Sequence, residues 1–104
     1  MSNGETLHIN PEYLTVVRDV LSIHLSGREV WAFGSRVTGK AKKFSDLDLV
    51  VIGDAPLSLS VLADVKEAFA ESDLPYKVDI VDWATTSQNF REIITQNHLV
   101  IQGK

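Results

Sequence analysis

The stretch Phe33-Gly34-Ser35-Arg36-Val37-Thr38-Gly39-Lys40-Ala41-Lys42-Lys43-Phe44-Ser45-Asp46-Leu47-Asp48-Leu49-Val50-Val51 admits two incompatible meanings. Gly34, Gly39 and Lys40 have the spacing of a phosphate-cradling P-loop, whereas Gly34-Ser35 followed by Asp46 and Asp48 has that of a carboxylate site for a divalent metal and phosphate. A P-loop needs Ser or Thr after its lysine, to reach Mg²⁺, and must open into a helix whose N-terminus faces the phosphates. Here Ala41 follows Lys40, and Lys42-Lys43-Phe44-Ser45 leads into a strand-like run. The P-loop reading fails on both counts, and Gly39-Lys40 reads as an ordinary loop.

In a strand, residues two apart share a face, so Asp46 and Asp48 present neighbouring carboxylates while Leu47 and Leu49 enter the core. Two such carboxylates repel unless a cation sits between them, and Mg²⁺ is held by one or two carboxylates together with substrate phosphates. An Asp-x-Asp pair alone is also what a solvated strand end carries, so its neighbours decide. Gly34-Ser35 lies in a turn after a hydrophobic strand, where glycine permits close backbone approach and serine offers a hydroxyl and N–H to a phosphate. Arg36, Lys40, Lys42 and Lys43 crowd the intervening loop of an acidic protein. They can screen a triphosphate, although Lys42 and Lys43 individually read as solvated. Asp79 lies between Val78 and Ile80, where a charge is costly unless it is exposed, paired or on metal. Asp79 and Asp82 fall on opposite faces of that strand. Asp79, within it, is the one assigned to the metal face, and Asp82 caps or solvates its end.

Asn10-Pro11 reads as a helix start, and Val17, Val20 and Leu21 share a face before Gly27, which predicts a helix over residues 11–26. Strands are expected at Glu29–Phe33, Asp46–Ile52 and Lys77–Trp83. A helix capped by Ser58 or Ser60 carries Leu62, Val65 and Phe69, with Pro75 in the loop that follows. Another, capped by Thr86 or Ser87, runs through Phe90, Ile93, Ile94 and Asn97, leaving Leu99-Val100-Ile101 as a tail or further strand. Together these predict an α/β (α+β) fold, a small mixed sheet flanked by helices, in one domain over residues 1–104.

The composition narrows the function classes. With 104 residues there is room for one core and none for a separate substrate domain. Hydrophobic residues at 44% and charged residues at 23% match an ordinary globular chain. A net charge of -4 argues against a broad footprint on long nucleic acid. The lack of cysteine removes disulfides and thiolate chemistry. The start Met1-Ser2-Asn3-Gly4-Glu5-Thr6 has no signal-peptide character, and no apolar run approaches the roughly 20 residues of a membrane helix, so a cytoplasmic protein is expected. His8, His24 and His98 show no metal spacing, and His24 reads as structural. Tyr13 and Tyr76 are candidate self-modification sites that amphipathic packing explains equally well.

Gly34-Ser35, then Ser45-Asp46-Leu47-Asp48-Leu49, then Asp79 resemble the minimal nucleotidyltransferase family of the DNA polymerase β-like superfamily, over nearly the whole chain. Many members are antitoxins paired with HEPN RNase toxins. The resemblance implies transfer of AMP from ATP to a tyrosine of that toxin. It further implies two Mg²⁺ ions held by Asp46, Asp48 and Asp79, with Gly34 and Ser35 on the departing pyrophosphate and Arg36 offsetting its charge. Thr38 stands where members often carry a second arginine. With no acceptor domain in the chain, the acceptor surface is expected from a partner, met by Val30, Trp31, Trp83 and Leu99-Val100-Ile101. Two rivals are a binding antitoxin with vestigial acids and an enzyme acting on a small-molecule hydroxyl.

Overall fold

The computed structural model describes residues 7–104, so the reading of residues 1–6 lies outside it. Helix α1 (Pro11–His24) starts where Asn10 accepts a hydrogen bond from the Glu12 N–H, with proline in its first turn. Strand β1 (Glu29–Phe33) follows, then a single helical turn α2 (Ser35–Thr38) and strand β2 (Leu47–Ile52). Helix α3 (Leu59–Ala70) is capped by Ser58, whose hydroxyl accepts from the Val61 N–H. Strand β3 (Val78–Asp82) runs into a short 3₁₀ turn at Trp83–Thr85. Helix α4 (Gln88–Gln96), capped by Ser87, leads to strand β4 (His98–Gln102).

The mixed sheet has the order β3-β2-β1-β4, with β1 antiparallel to both its neighbours and β2 parallel to β3. The parallel pair is joined through α3, as a parallel connection requires a crossover. The tail at Leu99-Val100-Ile101 is thus a full strand. The Gly34-Ser35 turn is tighter than expected, coiling into α2 and ending at Gly39 in the left-handed conformation. Asp46 stops one residue short of β2, and the third strand gives up Lys77 and Trp83 to its flanks.

Alternation along the strands divides the core in two. Val30, Ala32, Leu47, Leu49 and Val51 face α1 and α3, where Val17, Leu21, Val65 and Phe69 close a continuous core. The opposite face is covered only in part: Phe33 and Val50 meet Ile94 of α4, with Trp31, Ile52, Val81 and Trp83 half-buried around them. Val30 and Ile101 are core residues, which corrects their expected place on a partner surface. Trp31 and Trp83 pack on each other at 5.5 Å between rings, while Val100 is exposed. Among the described residues, no helix is long and apolar enough to cross a membrane.

Candidate active site

The thinly covered face carries the acids. Leu47 and Leu49 point into the main core, so Asp48 between them points to the other side, and the parallel register sets Asp79 directly beside it. On its other flank Asp48 is paired with Phe33, the last residue of β1, which delivers Gly34 to the same spot. Gly34 has φ +81°, and a Cβ there would collide with Asp48 Oδ2 and stand 3.3 Å from its Cγ. Only glycine combines that backbone with so close an approach.

Asp48 is half-buried, and its pKa is raised from 3.8 to about 6, first by loss of water and then by the charges of Asp79 and Asp46. Asp46 is exposed in the loop before β2, outside the walls of the cleft but near enough for its charge to be felt. Asp82 lies apart, with its carboxylate accepting from the N–H groups of Leu57 at 2.6 Å and Ala84 at 3.3 Å, so it is a structural cap. Asp48 and Asp79 open into a cleft of about 990 Å³.

Arg36 does not face that cleft. It is 6% exposed, and its Nε and Nη2 donate to the Ser45 carbonyl at 3.0 and 2.7 Å. Nη1 donates to the His8 carbonyl at 3.0 Å and Nη2 to that of Lys43 at 3.2 Å. The guanidinium also lies 3.9 Å from the centroid of the Tyr76 ring. Arg36, expected to offset pyrophosphate charge, thus lies outside the cleft walls, with its donors on the carbonyls of His8 and of the loop that leads to Asp46. Tyr76 sits edge-on to Tyr13, and its enclosed hydroxyl has no hydrogen-bond partner among the described residues. Burial pushes the Tyr76 phenol above its usual range, with the Arg36 cation acting in the opposite direction. An enclosed hydroxyl is poorly placed for self-modification.

The remaining walls include Thr38, Lys66, Lys77, Phe90, Ile93 and Asn97. Thr38 had been noted only as standing where the family often carries a second arginine, and the others were not singled out from sequence for the cleft. Lys66 and Ile93 look like ordinary helix-surface residues, and only the docking of α3 and α4 on the sheet brings them to the acids.

Carboxylate oxygens suit a hard cation, and a cation relieves the repulsion at Asp48. Among the described residues no group of three or more His, Cys, Asp or Glu is placed to hold a metal ion, so Asp46, Asp48 and Asp79 do not converge as a trio. Mg²⁺ does not require one, since it keeps waters and completes its shell with substrate phosphates, so the donor set fits.

Fold and site together define a nucleotidyltransferase. The family model for "Polymerase beta, Nucleotidyltransferase" matches residues 17–104, and the chain belongs to that family. Within it, a Haemophilus influenzae protein described as "Probable protein adenylyltransferase MntA" is 52% identical over 100% of this chain and 91% of its own. The fold is shared with a toxin-antitoxin crystal structure containing AMP-PNP, at TM-score 0.73 and 21% identity over 88% of this chain and 73% of that one. It is also shared with a complex of the tri-AMPylated Shewanella oneidensis HEPN toxin and its MNT antitoxin, at TM-score 0.65 and 18% identity over 88% and 70% of the two chains.

Proposed function

We propose that this protein is an antitoxin that transfers AMP from ATP to a tyrosine hydroxyl of a partner HEPN RNase toxin, neutralising it in the cytoplasm as a single domain. The observation that carries the reading is the pairing of Asp48 with Asp79 beside Gly34 at the cleft. The relative at 52% identity, described as a protein adenylyltransferase, supports AMP as the group and protein as the acceptor. The AMP-PNP and tri-AMPylated toxin complexes support the same donor and partner at the level of the fold.

Asp46, Asp48 and Asp79 would hold Mg²⁺, which supplies charge neutralisation at the α-phosphate and at both the entering and leaving oxygens. The chain's own groups do the rest. Gly34, lacking a side chain, lets phosphate approach the backbone, and Ser35 offers its hydroxyl and N–H to the β- and γ-phosphates. The acceptor oxygen forms a bond to the α-phosphorus, and the bond from that phosphorus to the bridging oxygen of the β-phosphate breaks. Pyrophosphate leaves, and the hydroxyl proton passes to Asp79. Arg36 fixes the loop from Lys43 to Ser45 so that Asp46 and Asp48 keep their places.

The test is incubation with α-phosphate-labelled ATP, Mg²⁺ and the partner toxin, alongside an Asp46→Asn/Asp48→Asn double variant. Label on the toxin with wild type only, accompanied by loss of RNase activity, is expected. Equal neutralisation by both proteins without label would instead identify an antitoxin that acts by binding.

A further inference from the structure

The cleft does more than surround the acids, for it follows the outer edge of the sheet. β3 ends the strand order, and five consecutive residues, Lys77 to Val81, line the cleft. A pocket on one face of a strand would touch alternate residues; contact with every one means that the space wraps the edge. Every residue of β3 is half-exposed, unlike the buried run in β2. Phe69 and Leu74 wall the track on one side of the sheet, Phe90 and Ile93 on the other.

The edge itself offers backbone. The Lys77 carbonyl is turned inward, accepting from the Leu47 N–H at 2.9 Å, so along an extended strand Val78 and Ile80 turn their N–H and C=O groups outward. At Asp82 the carbonyl is closed off by the hydroxyls of Thr85 and Thr86, at 3.2 and 2.7 Å. Proteins blunt free edges with charged side chains, bulges, prolines or covering loops, and the charges of β3 are Asp79, beside Asp48, and Asp82, engaged by the Leu57 and Ala84 N–H groups. β4, at the far edge, has a register irregularity against β1, whereas β3 is regular over five pairs and carries no proline. Asp79, beside Asp48, lies within this regular edge, so the track is continuous with the site.

We infer that the acceptor is taken up as an extended polypeptide segment that adds to the outer edge of β3 and thereby brings its hydroxyl to Asp48 and Asp79. This rests on the function proposed above and specifies the form of its substrate. Main-chain hydrogen bonds to Val78 and Ile80 supply affinity, and side chains alternating between the two apolar walls supply specificity. Lys66 and Lys77, cations among the described residues that line the cleft, select an acidic side chain in the segment.

The probe is a tyrosine peptide of about nine alternating valine and threonine residues with one glutamate, compared with N-acetyltyrosinamide as acceptor of labelled AMP. The peptide should show a KM lower by about tenfold or more, through its backbone contacts. N-methylation of alternate peptide amides should remove that advantage in one phase and leave it in the other. Amide exchange at Val78 and Ile80 should slow when the peptide or the toxin is bound. Equal KM values with unchanged exchange, or labelling of the toxin with no protection at these amides, would overturn the inference while leaving the transferase intact. Absence of label on peptide, amide and toxin alike would overturn the proposed function itself.

Discussion

The two faces of the sheet are built from the same alternating strands yet end in opposite conditions. Leu47, Leu49 and Val51 lie under two helices in a closed core, while Asp48, Val50 and Ile52, interleaved with them, look towards the single short helix α4. Val50 is fully buried there beside Phe33 and Ile94, yet two residues earlier the cover is gone and Asp48 meets Asp79 at an open cleft. A buried carboxylate pair is tolerable only if something else compensates its charge. Partial cover leaves room for that compensation, and the closed face carries the stability that lets the open one be unfavourable by itself.

The sharpest way to break this contrast is to alter one residue on each face. Asp48→Asn should lower AMP transfer by about 10³-fold or more, judging from the loss of other key electrostatic groups in active sites. It should retain a cooperative melt, because no core packing is removed. Loss of the cooperative transition would show that Asp48 is structural. Leu49→Ala, next in sequence but on the closed face, should cost about 2–5 kcal/mol of stability by leaving a cavity. Chemical denaturation measures this, and an unchanged midpoint would show that the core is not where it has been placed.

Arg36 tests the link between the faces. Arg36→Ala removes donors from the carbonyls of His8, Lys43 and Ser45, and with unsatisfied buried acceptors costing about 1–3 kcal/mol each, partly offset by water, a loss of about 2–4 kcal/mol is expected. If Arg36 positions the loop and does not bind nucleotide, Arg36→Lys should lower stability and kcat with little change in the KM for ATP. A KM for ATP raised without loss of stability would restore the phosphate role.

The smallest effect concerns charge on the open face. The Asp48 pKa in the folded protein, about 6, lies above its ordinary 3.8, so the folded state holds the proton more tightly. That contribution is fully present below pH 3.8 and is lost as pH rises through about 6. In metal-free protein, Asp48→Asn should therefore melt above wild type at pH 7.5, with the gain fading below pH 4. It should amount to a few degrees, since water screens a half-exposed group. Addition of Mg²⁺ with ATP should reverse the order by stabilising wild type alone. A variant advantage that grows as pH falls would contradict the sign.

The first three strands were legible from their runs of Val, Leu and Ile, and the helix starts from Asn10-Pro11, from Ser58 or Ser60 and from Thr86 or Ser87, of which Ser58 and Ser87 cap, because local capping and alternation are written residue by residue. Gly34, Asp48 and Asp79 stood out for a similar reason: a glycine after a strand, and acids within apolar runs, are locally anomalous. The inward direction of Arg36 was not legible, because a loop arginine looks the same in sequence whether it points to solvent or inward. Its direction depends on where His8 and Tyr76, distant in the chain, come to rest. Lys66, Phe90 and Ile93 left no local sign of their place beside the cleft.

Period-two alternation, readable residue by residue, already separates Leu47, Leu49 and Val51, which enter the core, from Asp48 and Asp79, acids set within apolar runs, because strands assign faces before any packing occurs. The tertiary structure decided which face stays open, that β3 lies at an edge, and that Arg36 turns inward, because strand order and helix docking depend on contacts between residues far apart in the chain.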